Sequence, residues 1–148
     1  MNLRKVLSPQ VMFPALQVAD KNEAIETLVR RLAATRKIDH VAPLIEVVMQ
    51  REQKDSTGLE RGIAVPHGKT DAVDDLIAGI ATLSEGVDFG ARDGKPSRIL
   101  VMTISPLKRT GPHLQFISEV VRLLRDETLR DKLLAATTAQ QMYEALTS

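Results

Sequence analysis

Hydrophobic and polar positions recur along this chain with two periods, and the switches between them divide it roughly into thirds. Ala24, Ile25, Leu28, Val29 and Leu32 stand at helical spacing, which predicts an amphipathic helix over 21–36. Asp20 occupies the position of a capping residue. Glu23 follows it three residues on, the spacing at which two side chains can each meet a free backbone N–H of the first turn. Leu44, Ile45, Val47 and Val48 predict a second helix. It opens near Pro43, a residue suited to a first turn, and ends near Arg51.

The middle third reads differently. Ile77 to Leu83 and Arg98 to Ile104 are apolar runs rich in β-branched residues, the pattern of buried strands. Asp88-Phe89-Gly90 and Asp93-Gly94-Lys95-Pro96 carry turn chemistry between them. Gly62-Ile63-Ala64-Val65 is a shorter apolar run, and Pro66 pushes Val65 towards an extended conformation. The last third is helical again: about 111–125 with Pro112 in its first turn, then Thr128 to Ala136 and Ala139 to Leu146. Helices, strands and helices again, within 148 residues, predict one domain spanning 1–148, with a sheet covered by helices on both faces. The strand order does not follow from this pattern.

Composition narrows the function. Twenty basic and 19 acidic residues leave a net charge of +1, so no general attraction to nucleic acid or to an anionic membrane is expected. Aromatic residues are only 3% of the chain, too few for base-stacking platforms. The absence of cysteine excludes disulfides, thiolate metal sites and cysteine nucleophiles. Met1-Asn2-Leu3-Arg4-Lys5-Val6 leads into no long apolar run and does not read as a signal peptide. No stretch approaches the ~18 apolar residues of a membrane helix. A cytoplasmic protein with no direct membrane insertion is expected.

The chemistry concentrates between Arg51 and Lys69. A helix ends at Arg51, a loop with Ser56, Thr57 and Gly58 follows, and a short strand is expected to deliver His67 at its carboxyl end, between Pro66 and Gly68. Ligand sites of open α/β sheets lie outside the carboxyl ends of strands. A neutral imidazole can attack phosphorus without a separate base, and near its ordinary pKa of ~6.5 a histidine is substantially neutral at cellular pH. The site must then add positioning and positive charge around the transferred oxygens. Arg51 can grip two of them, Ser56 and Thr57 can donate hydroxyls, and Gly68 lets another molecule approach the backbone. His113 opens the helix at Pro112, on one stripe with Ile117, Val120 and Leu124, so its ring should face inward. The helix N-terminus disfavours added positive charge there, leaving a neutral imidazole able to donate one hydrogen bond.

Each residue also has a purely structural reading. His67 can end a strand and bond to backbone. Arg51 can complement a helix C-terminus, Ser56 and Thr57 can form a turn, and His113 can be a core histidine. A metal site on His67 and His113 is a further alternative, but no nearby carboxylate or cysteine spacing supports it. His40 lies among surface-like residues and is assigned no role.

Arg51-Glu52, Ser56-Thr57-Gly58 and Gly62-Ile63-Ala64-Val65-Pro66-His67-Gly68 together resemble the fructose–mannitol class of phosphotransferase-system enzyme IIA, which includes the nitrogen-regulatory IIA proteins. The resemblance extends through Asp88-Phe89, Asp93-Gly94-Lys95-Pro96 and His113-Leu114, from about Leu7 to the C-terminus. It implies a three-layer α/β/α fold with a mixed sheet between helices; no cofactor is expected. It implies that His67 is phosphorylated by the phosphocarrier protein HPr and donates to a IIB component, with Arg51 and His113 lining the site. A regulatory, nitrogen-type role, in which phosphorylation of His67 controls binding to target proteins, is the alternative. One departure stands out: Glu60 occupies a position where many members carry glycine. Its carboxylate would repel a phosphoryl group if turned inward, or could pair with Arg61 if turned outward.

Overall fold

The structure, a computed structural model, describes all 148 residues. Five strands form one mixed sheet. They are β1 (Met12–Leu16), β2 (Ile63–Ala64), β3 (His67–Lys69), β4 (Ile77–Val87) and β5 (Ser97–Ser105). β4 and β5 pair antiparallel at the centre, β1 lies parallel to β4 on one side, and β2 and β3 lie parallel to β5 on the other. Five helices cover the sheet: α1 (Lys21–Thr35), α2 (Ala42–Lys54), α3 (Gly111–Leu123), α4 (Glu127–Ala135) and α5 (Ala139–Thr147). One contiguous cluster of 36 buried apolar residues runs through the layers, as expected of a three-layer α/β/α domain.

The predicted helices form, with shifted ends. Asp20 caps α1 by accepting the backbone N–H of Glu23 at 2.8 Å. The Glu23 carboxylate reaches back one residue further than expected, to the N–H of Ala19. α2 does not stop at Arg51 but runs to Lys54, so Arg51 sits inside the last turn. Capping at α5 is reciprocal, with Thr138 and Gln141 each meeting the other's backbone. β1 has no counterpart among the predicted elements.

β2 and β3 occupy one row of the sheet. Ile63 faces Ile99, Ala64 faces Leu100, His67 faces Thr103 and Lys69 faces Ser105. The offset is 36 in every pair, so the row keeps its register across Val65 and Pro66, where proline lacks the N–H a ladder needs. His67 therefore begins the second segment of the row instead of ending the first, a correction to the expected placement. The loop ahead of this row is pinned to it: Leu59 N–H donates to Ile63, and Val65 N–H donates to Thr57. Arg61 and Gly62 turn the chain with φ of 68° and 77°, and the Asp93 carboxylate accepts the N–H of Arg61 at 2.9 Å.

Candidate functional site

His67 is half-buried, and its Nδ1 lies 2.9 Å from the carbonyl oxygen of Val65. A carbonyl can only accept, so Nδ1 carries the ring proton and Nε2 carries the lone pair. The ring of His113, from the first turn of α3, lies beside it, with centroids 4.9 Å apart and planes 32° from parallel. His113 is buried, with Nδ1 2.6 Å from Oγ1 of Thr103. Arg51, Lys54, Gln50 and Val47 of α2 line one cleft with His67, Gly68 and Lys69. Two sequence-predicted residues, His67 and Arg51, thus share a cleft, and the third, His113, stands against the histidine from the opposite layer.

The electrostatics follow from this packing. Burial is the main influence on His67 and lowers its pKa; the bond to Val65 opposes it, and the positive charges of Arg51 and Lys69 add to the lowering. His113 is pushed down to about 4, first by burial and then by charge on His67 and Lys69. Burial, ahead of the helix terminus, is therefore what keeps His113 neutral. Two neutral imidazoles stand beside cations, an arrangement that can receive an anionic group at Nε2 of His67 and balance its charge.

The loop hydroxyls follow their structural reading and not the phosphate-donating one. Thr57 is buried and donates its hydroxyl to Glu52, and Ser56 donates its hydroxyl to the carbonyl of Phe89. Both protons thus go to acceptors within the protein, not towards a phosphate. Glu52 also accepts the backbone N–H of Thr57 at 2.8 Å and pairs with Lys21 at 3.3 Å, which ties the loop to α2 one residue after Arg51. Gly68 is small for an inward reason as well: an added Cβ would lie 2.7 Å from Cγ2 of Val47 and 3.2 Å from the backbone nitrogen of Val48. Its missing side chain lets α2 approach β3.

Glu60 is exposed and lines a separate cavity with Arg61, Arg92 and Arg125, not the cleft of His67. It joins none of the four ion pairs, so it neither faces the histidine nor pairs with Arg61. The sequence reading missed Thr103, buried behind His113, and the cleft-lining positions of Gln50, Lys54 and Lys69. Basic residues on an outward helix face or strand end carry no local signal, and a threonine inside an apolar run reads as core. No group of three or more His, Asp or Glu residues is placed to hold a metal ion, and no helix is long and apolar enough to cross a membrane.

A histidine pair beside a cation-lined cleft on a mixed α/β/α sheet defines a class, and comparison with known proteins supplies the family. Residues 5–148 match the model of the "Phosphoenolpyruvate-dependent sugar phosphotransferase system, EIIA 2" family. The chain belongs to that family. It is 31% identical over 146 residues to a nitrogen regulatory protein of Bradyrhizobium diazoefficiens, covering 99% of this chain and 95% of that one. It is 36% identical over 128 residues to a fructose-specific EIIA component of the phosphotransferase system of Haloferax volcanii, covering 86% and 83%. Among solved structures, the nitrogen regulatory protein IIA-Ntr of Neisseria meningitidis matches with a TM-score of 0.88 at 27% identity, covering 98% of this chain and 99% of that one. Enzyme IIA mannitol of Escherichia coli, in complex with phosphorylated enzyme IIB mannitol, matches with a TM-score of 0.80 at 26% identity, covering 95% and 96%.

Proposed function

We propose that Nε2 of His67 accepts a phosphoryl group from the phosphocarrier HPr and passes it to a IIB component, in the cytoplasm. The observation that carries this reading is the bond from Nδ1 of His67 to the Val65 carbonyl. It leaves the distal nitrogen as a nucleophile in a cleft with Arg51, Lys54 and Lys69. In the transfer, the Nε2 lone pair forms a bond to phosphorus as the bond to the donor's nitrogen breaks. Nδ1 keeps its proton throughout. The cations neutralise charge on the three phosphoryl oxygens, where stabilisation acts on the transition state. The complex with phosphorylated IIB formed by the mannitol relative supports a IIB partner.

A regulatory role for the same phosphohistidine is the second reading. It is favoured by the likeness to IIA-Ntr over nearly the whole of both chains. Phosphorylation would then change local charge at a surface that contacts a target protein. Glu60 is exposed and lines a cavity away from the His67 cleft, so that residue does not separate the two.

Incubation with phosphoenolpyruvate, enzyme I and HPr, followed by intact-mass measurement, tests the acceptor. One acid-labile phosphate is expected on the wild type and none on His67→Ala. Equal phosphate on that variant would refute the assignment.

A further inference from the structure

We infer that Thr103 is a positioning residue of this site: its hydroxyl donates to Nδ1 of His113 and so holds that ring's proton on Nε2. The inference rests on the phosphoryl-transfer reading for its purpose, but not for its geometry.

Oγ1 of Thr103 and Nδ1 of His113 are 2.6 Å apart, and either atom could in principle supply the proton. Burial decides between them. Thr103 is 1% exposed and His113 8%, so water offers little alternative partner. The hydroxyl makes no other hydrogen bond. Were Nδ1 the donor, the hydroxyl proton of Thr103 would be buried without an acceptor, the arrangement a folded interior disfavours most. The reverse assignment satisfies both atoms: the hydroxyl donates and Nδ1 accepts. A neutral ring then has one proton left, and it must sit on Nε2.

The two imidazoles are thereby set in opposite tautomers. His67 has its proton on Nδ1, held by a carbonyl that can only accept. His113 has its proton on Nε2, fixed by a hydroxyl. One distal nitrogen offers a lone pair and the other an N–H. Two consequences follow for transfer. The Nε2–H of His113 can donate to an oxygen of the phosphoryl group on His67. And His113, with its distal lone pair removed and its proximal one occupied, does not compete as acceptor. The device is built from sheet register, because Thr103 is the residue that faces His67 across β3 and β5. The strand that seats the nucleophile's backbone also sets its neighbour's proton.

Nitrogen-15 NMR of the full chain, without any phosphoryl donor, reads the tautomers directly. A pyrrole-type shift is expected at Nε2 of His113 and at Nδ1 of His67, with pyridine-type shifts at the other two nitrogens. Thr103→Val keeps the shape of the side chain and removes the hydroxyl. It should give mixed tautomers at His113 and slow phosphorylation of His67 about tenfold, part of the effect of losing one preorganised donor. Thr103→Ser should restore both. A proton on Nδ1 of His113 in the wild type overturns the inference, and so does a Thr103→Val protein with wild-type shifts and rate. If the valine variant does not fold, the wild-type spectrum and the serine variant decide. A wild type that takes up no phosphate would sink the phosphoryl-transfer reading while the tautomers still stand or fall on their own.

Discussion

Below pH ~6.5 His113 enters the folded state without a proton it would hold in water, and that has a price in acid. In the unfolded chain the ring is protonated below ~6.5; in the folded chain it resists protonation down to about 4. Between those values the unfolded state binds more protons, so stability rises with pH through the window. The contribution of His113 is complete above ~6.5 and is lost as pH falls towards 4, and His67, shifted the same way, adds to it. Urea unfolding from pH 4 to 7 should show a steeper loss in the wild type than in His113→Gln; parallel curves would contradict it. Arg51 acts at the same scale on chemistry. Its guanidinium lines the cleft and repels a proton on His67, so Arg51→Ala should slow phosphoryl transfer roughly tenfold to a hundredfold, and a wild-type rate would show that Lys54 and Lys69 suffice. His67, His113 and Arg51, which the structure brings together, each had a local signal (a proline–glycine frame, a helix start and a helix end), but only the family resemblance grouped them into one site. Thr103 was not, since its role depends on which residue lies across a strand ladder. Ser56 and Thr57 stayed open between two readings because a hydroxyl in a turn looks the same whether it meets a ligand or the loop's own acceptors.

Among the strands, the long ones were legible and the short ones were not fully so. β4 and β5 announce themselves by unbroken apolar runs, and α1 by its cap and stripe. β1 carries Pro14 inside five residues, which argues against a strand in the sheet interior. It survives as an edge, paired with β4 alone, with a register irregularity between Phe13 and Leu16 and with Ala15 at φ 51° donating its N–H to the side chain of Thr82. The split row of β2 and β3 was read as one short run because proline masks continuity that only the register with β5 reveals. The junction of β3 with α2 makes a test at this scale. Gly68→Ala places a methyl against Val47 and the backbone of Val48, and overpacking of this kind costs about 1–3 kcal/mol. A lowered urea midpoint is expected, partly recovered by adding Val47→Ala. An unchanged midpoint would mean that α2 moves aside without cost.

At the scale of the whole molecule, three layers meet at one cleft edge. α2 contributes the guanidinium, β3 the imidazole of His67, and α3 from the other face the second imidazole. The layered class was legible because the apolar period changes twice along the chain; the strand order was not, because pairing is non-local. The fold serves relatives described as sugar-specific and as nitrogen-regulatory alike, and both readings require the same event at His67. Phosphorus–nitrogen correlation NMR on the phosphorylated chain tests that event most directly. A phosphate coupled to Nε2 of His67, with Nδ1 still bearing its proton, is the predicted result; a phosphate on Nδ1, on His113 or on any other side chain would contradict the account.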